Sequence, residues 1–211
     1  MGAKDWMLAF AETDPRAALR GGPVLDRAAA RTAAERLYPG RTVTPVADGT
    51  VGDDANPDDG LVYVTALDGL TLVCTGLAAV DRPSQVPVPV LTAIPASHVY
   101  LHAMHSVVDW FAYAVWTGGH LRRSLSLSPD DGVIENLGEP MPFERPYWAG
   151  RHPAIDPEDT DPDDDPYPLP FHPLDLAETA LQEILGFSFE GRPRPDDVDP
   201  FEIPLAGFAI T

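Results

Sequence analysis

Between Val99 and Ser128 apolar and polar residues alternate with a period of two, and this stretch limits the possible folds more than any other. A period of two belongs to strands, and Gly118-Gly119 at its centre suits a two-residue hairpin loop. With that loop Trp116 faces Leu121, Ala112 faces Leu125 and Trp110 faces Leu127, all on one side. Asp109, Phe111, Tyr113 and Val115 then share the other side with Ser128, Ser126, Ser124 and Arg122. Arg123, opposite Ala114, is the exception to an otherwise apolar face. The pattern predicts one buried sheet face carrying Trp110, Trp116 and Leu125.

The rest of the chain is built to the same scale. Its 24 prolines and 17 glycines leave no room for long helices or a coiled coil. Strands are expected at Trp6–Ala11, Thr42–Val46, Val133–Leu137 and Phe201–Ile210, and a hairpin at 61–67 and 70–76 around Asp68-Gly69. Helices are expected near 25–37, closed by Pro39-Gly40, and near 174–185, where Leu174, Ala177, Leu181, Ile184 and Leu185 recur at helical steps. The expected fold is α+β: a single domain over 1–211, mainly one antiparallel β-sheet with both helices packed on one face. An acidic Pro-rich loop interrupts it at about 151–173, with seven carboxylates between Asp156 and Asp165. That loop is expected to be solvated and dispensable for folding, anchored by Trp148 before it and by Leu169 and Phe171 after it.

Charge narrows the function classes. The net charge is −19, and residues 152–211 alone hold 15 acids and 2 bases. Such a chain repels a phosphate backbone, so no nucleic-acid partner is expected. No apolar stretch approaches the roughly 18 residues that span a bilayer, so no membrane partner is expected either. A basic protein partner is compatible with the charge, and the oligomeric state is left open. A lone cysteine, Cys74, and an N-terminus without a signal-like apolar core point to the cytoplasm. One lysine among 14 basic residues suggests a GC-rich bacterial genome.

Few residues invite chemistry. His102, His105 and Asp109 would share one face of a helix and could hold a metal, but on a strand the two histidines diverge. No metal is therefore expected. Glu135, Glu139 and Glu144 with His172 form a looser set suited to acid–base work if they meet. The weak catalytic candidates are thus His105, Asp109, Glu135, Glu144 and His172. No P-loop, dinucleotide-binding glycine pattern, paired-cysteine or zinc-protease signature occurs, and no cofactor is expected.

Several longer runs are distinctive. They are Gly2-Ala-Lys-Asp-Trp6, Ala103-Met-His-Ser-Val-Val-Asp-Trp-Phe-Ala-Tyr-Ala-Val-Trp116 and Leu125-Ser-Leu-Ser-Pro-Asp-Asp-Gly-Val-Ile-Glu-Asn136, then Pro142-Phe-Glu-Arg-Pro-Tyr-Trp-Ala-Gly150 and Tyr167-Pro-Leu-Pro-Phe-His-Pro-Leu-Asp175. Together they resemble an uncharacterised actinobacterial family known only as a domain of unknown function. The resemblance implies a single-domain bacterial protein and carries no activity with it. The expected function is that of a non-enzymatic protein-binding or accessory module, of the immunity type. The alternatives are a small hydrolase or metal-dependent enzyme using the His and Glu candidates, and a small-molecule sensor using Phe143–Trp148.

Overall fold

The computed structural model describes residues 2–155 and 167–211, so the acidic run from Asp156 to Asp165 lies outside the described residues. The chain runs β1 (Lys4–Ala11), α1 (Pro15–Arg20), α2 (Arg27–Leu37), β2 (Val43–Pro45), β3 (Gly49–Thr50) and α3 (Val51–Asp54). It continues through β4 (Leu61–Leu67), β5 (Leu70–Cys74), α4 (Val88–Leu91), β6 (His98–His105), β7 (Trp110–Thr117) and β8 (His120–Ser128). It ends with β9 (Gly132–Leu137), α5 (Arg145–Trp148), α6 (Pro173–Ile184) and β10 (Pro204–Ile210). The ten strands form an antiparallel sheet ordered β2-β10-β4-β5-β1-β6-β7-β8-β9, with β3 paired to β10. Among the described residues no helix is long and apolar enough to cross a membrane.

Local chemistry sets the element ends. Asp26 accepts from the Ala28 and Ala29 amides and starts α2. His172 Nδ1 accepts from the Leu174 amide, with Pro173 in the first helical position of α6. The expected α+β class with a mainly antiparallel sheet is what forms.

The two longer helices, expected on one face, take one face each. Ala30, Ala33, Ala34 and Leu37 of α2 pack with Leu8, Phe10, Trp110, Ala112, Ala114 and Trp116. Leu176, Ala177, Ala180 and Leu181 of α6 pack with Met7, Ala9, Phe111, Tyr113 and Val115. The reason is visible in β7, which is buried at every position from Trp110 to Trp116. A strand with apolar residues on both sides needs two covers.

The central hairpin forms, with one displacement. Trp116 pairs with Leu121 as expected, but Val115 pairs with Arg123, so Arg122 is an extra, bulged residue. Every pairing beyond it moves by one: Tyr113 meets Leu125, Ala112 meets Ser126 and Phe111 meets Leu127. One residue of slip turns all later side chains over. Trp110 and Trp116 are buried on the α2 face, 8% and 4% exposed, whereas Leu125 and Leu127 lie on the α6 face, correcting the expectation that they share a face. The same slip removes Arg123 from its expected place opposite Ala114 and delivers it to the α6-side interior.

Candidate aromatic and acidic pocket

The five candidate residues do not gather into one site; Asp109 and His172 approach each other, and the other three stand apart. Glu144, just before α5, is fully buried beneath β7 and β8 and belongs to the scaffold. Its carboxylate accepts from Arg123 Nε at 2.8 Å and Nη2 at 2.6 Å, from the Met141 amide at 2.6 Å and from Trp148 Nε1 at 3.1 Å. The Tyr113 hydroxyl also donates to it. Arg123 Nη1 donates to Asn136 Oδ1 and to the carbonyls of Leu137 and Gly138. Burial would push the Arg123 pKa down, but the bonds and charge of Glu144 more than reverse this. Burial and the Glu144 charge push the Tyr113 phenol far upward. This pair joins β8, the β9 end and α5 with no lone pair to spare for chemistry.

Glu135 lies on the opposite, α2-side face, where it pairs across the sheet with Ser126. It accepts from the Ser84 amide at 3.0 Å, from the Ser84 hydroxyl at 2.7 Å and from the Ser124 hydroxyl. Glu135 thereby fastens the single helical turn at Pro83–Gln85 onto the sheet. Glu139 is exposed beyond β9.

The histidines part as a strand requires. His102 is buried on the α6 face, and Nδ1 lies 2.8 Å from Asp5 Oδ1 while Nε2 lies 3.1 Å from the Ala177 carbonyl. Both neighbours are acceptors, so both ring nitrogens donate and the ring is an imidazolium. Burial alone would lower its pKa, but the Asp5 charge and hydrogen bond, helped by the Ala177 carbonyl, raise it. His105 stands on the α2 face, its ring 6.1 Å from that of Trp6. Asp109 occupies the β6–β7 turn with φ of 47° and reaches the other way, 3.5 Å from His172 Nε2. His172 Nδ1 already accepts the Leu174 amide, so its Nε2 carries the proton and points at Asp109. Among the described residues no group of three His, Cys, Asp or Glu side chains is disposed to hold a metal ion.

What sequence reasoning missed lies around His105. Lys4, His105 and Trp110 form one row across β1, β6 and β7 on the α2 face, and Ser128 at the end of β8 joins them at the cavity. In the next row Trp6 is followed by the small residues Ala103 and Ala112. Over that low ground the Trp6 and Trp110 rings meet edge to face with centroids 5.9 Å apart. They wall a cavity of about 340 Å³ that His105, Val108, Ser128 and Ala79 complete and that Asp81, Asp130 and Asp131 border. The three carboxylates come from two separate turns: Asp81 just ahead of the turn that Glu135 fastens, and Asp130 and Asp131 from the β8–β9 turn. All three are exposed, and Asp131 accepts from the Ser128 hydroxyl at 3.1 Å. Trp110 Nε1 is buried with no hydrogen-bond partner among the described residues.

Among the described residues His105 is the one basic group that lines the cavity, and Lys4 pairs with it across the sheet. Burial and the Lys4 ammonium hold the His105 pKa below the usual histidine value, which keeps that ring neutral. Lys4 Nζ lies 5.0 Å from the Trp6 ring centroid, a cation already settled against one of the two indoles. The pocket is therefore aromatic within and negative at its mouth.

Three of the five distinctive sequence runs fall on β1, β6, β7 and the β8–β9 turn, which build the pocket. The chain belongs to the family of unknown function DUF6928, whose model matches residues 5–208. No curated protein and no solved structure matches the chain. The family match spans Trp6, Trp110 and all three bordering carboxylates, as well as the Arg123–Glu144 and Asp5–His102 pairs.

Larger hollows elsewhere offer less chemistry, as two of them show. One of about 780 Å³ lies between the α1–α2 connection and the β4–β5 turn, lined mostly by Ala, Gly and Pro with Asp26, Arg36 and Asp68. Another of about 630 Å³ follows α6 past Tyr147, His152, His172 and Glu178. There the Tyr147 hydroxyl is taken up by Thr179 and the Asp175 carbonyl, and Glu178 by the Phe189 and Glu190 amides.

Proposed function

We propose that this chain is a non-enzymatic binding module, of the accessory or immunity type, that docks a basic protein through the Trp6–Trp110 end of the sheet. The observation that carries this reading is the pairing of an aromatic cavity with three carboxylates and a neutral histidine. Such a surface attracts a cationic group and holds it by ring faces and charge together. Val107 and Val108, both exposed at the adjacent β6–β7 turn, supply apolar contact beside the cavity. The acid–base candidates support the same reading: Glu135 and Glu144 are engaged in docking bonds on opposite faces, and His172 is engaged at both nitrogens.

The test is affinity capture from the native lysate with three baits. They are the wild-type chain, Asp81→Asn/Asp130→Asn, and a control, Asp59→Asn/Glu139→Gln, that removes the same charge from exposed sites elsewhere. The expected result is a partner with a basic surface that is held by wild type and control and lost from the pocket variant. Capture that ignores the pocket substitutions, or no basic partner at all, overturns the reading.

A further inference from the structure

We propose that the group received in the cavity beside Trp6 and Trp110 is the guanidinium of an arginine side chain presented by the partner. This rests on the docking reading above and names the chemistry that fills the pocket. A cavity of about 340 Å³ takes one long side chain, not a folded loop. Its walls include two indoles in edge-to-face contact with each other, so a flat cation in the cavity lies against that aromatic pair and not between its rings. Its border offers carboxylates from two separate turns, Asp81 from one and Asp130 with Asp131 from the other.

That combination selects guanidinium over ammonium. A guanidinium is planar, weakly hydrated and presents its N–H groups in a fork, so it can stack on an indole while donating to carboxylates at its edge. A lysine ammonium is compact and strongly hydrated, and stripping its water against indole is less favourable. The chain's own Lys4 already fills the ammonium contact on Trp6, leaving the cavity for a second cation. Among the described residues His105 is the one basic group that lines it, and burial and Lys4 lower its pKa. The arginine stem would cross the mouth beside Val108, which is half exposed and supplies apolar cover for its methylenes.

The experiment is a titration of the full chain with three blocked pentapeptides, Gly-Gly-X-Gly-Gly, where X is arginine, lysine or trimethyllysine. Binding is followed through the four indole N–H signals in ¹⁵N–¹H NMR spectra, one for each tryptophan. The arginine peptide is expected to move the Trp6 and Trp110 signals and leave Trp116 and Trp148 in place. It should bind about fivefold or more tighter than the lysine peptide. Asp81→Asn/Asp130→Asn should weaken it by about the same factor, with the spectrum otherwise unchanged. Equal binding of arginine and lysine, tighter binding of trimethyllysine, shifts confined to Trp116 and Trp148, or no shift with any peptide would each overturn the arginine assignment. Those outcomes leave pocket-dependent capture of a basic partner standing, and loss of that capture is what would remove the docking reading itself.

Discussion

Arg123 and Glu144 are both fully buried, and their pairing is closed on every side by Tyr113, Met141, Trp148, Asn136 and the Leu137 and Gly138 carbonyls. A buried pair of this kind adds little net stability over a well-packed apolar pair, because both charges have left water. Breaking it is another matter. Glu144→Gln leaves the guanidinium uncompensated and is expected to cost about 3–5 kcal/mol in urea unfolding. Arg123→Met/Glu144→Leu should recover part of that loss. If the double variant is no more stable than the single one, the Tyr113, Met141 and Trp148 donors to Glu144 matter more than the ion pair. His102 provides a second single-residue test. Its folded pKa is raised above the usual 6.5, so its stabilising contribution is complete below about 6.5 and is lost as pH rises through the folded value. Stability should fall as pH rises above about 6.5, and His102→Gln should flatten that fall. Glu178, lifted by burial, acts with the same sign but begins from 4.5, and the Cys74 thiol, also pushed up by burial, contributes only above about 8.5. A wild-type slope of the opposite sign would show that His102 is neutral in the folded chain.

Elements with a local signal were readable, and those decided by a partner element were not. The α2 and α6 helices announce themselves by spacing, with Pro39-Gly40 closing the first, and the structure adds their caps, Asp26 and His172. The Asp68-Gly69 turn does the same for β4 and β5, with Gly69 at φ of 75° where a left-handed residue is needed. The β7–β8 bulge has no such local marker. Nothing in His-Leu-Arg-Arg-Ser distinguishes one register from the next, and the choice is made by what each register buries. The observed register sends Leu125 and Leu127 to the α6 face and Arg123 to Glu144, a residue that arrives only with α5. Arg122→Ala is expected to change stability by about 0.5 kcal/mol or less, as at most exposed sites. Deleting Arg122 should also be tolerated, because it takes out the extra residue and keeps every pair from Val115–Arg123 onward on the face it already holds. Cooperative unfolding is expected for both variants. A deletion variant without a cooperative transition would mean that the bulge itself, and not the pairing beyond it, seats Arg123 and Leu125. The pocket was half legible for the same reason: His105 and both tryptophans stand out in the sequence. Their joining with Asp81, Asp130 and Asp131 depends on three turns meeting at one end of the sheet.

Across the whole molecule the charge that equips the pocket also works against the fold. At net −19 with a sequence pI near 4.4, like charges crowd a compact surface and favour expansion. The exposed ion pairs, such as Arg31–Glu35 and Arg194–Glu183, offset little of this, each being worth at most about 1 kcal/mol. Salt shortens the range of the repulsion from about 30 Å at 0.01 M to about 3 Å at 1 M. Screening therefore acts on the two properties with opposite signs. The melting temperature should rise as sodium chloride is added from about 0.01 M to about 0.5 M, because long-range repulsion fades while the apolar core on both sheet faces is untouched. Over the same range capture of the basic partner should weaken, because its approach is driven by the same field. A chain that melts lower in salt would show that its surface attractions outweigh the repulsion implied by the net charge. Partner capture that survives 0.5 M salt would place its binding energy in the Trp6–Trp110 stack and the Val107–Val108 contact, with the carboxylates acting only to orient the incoming cation.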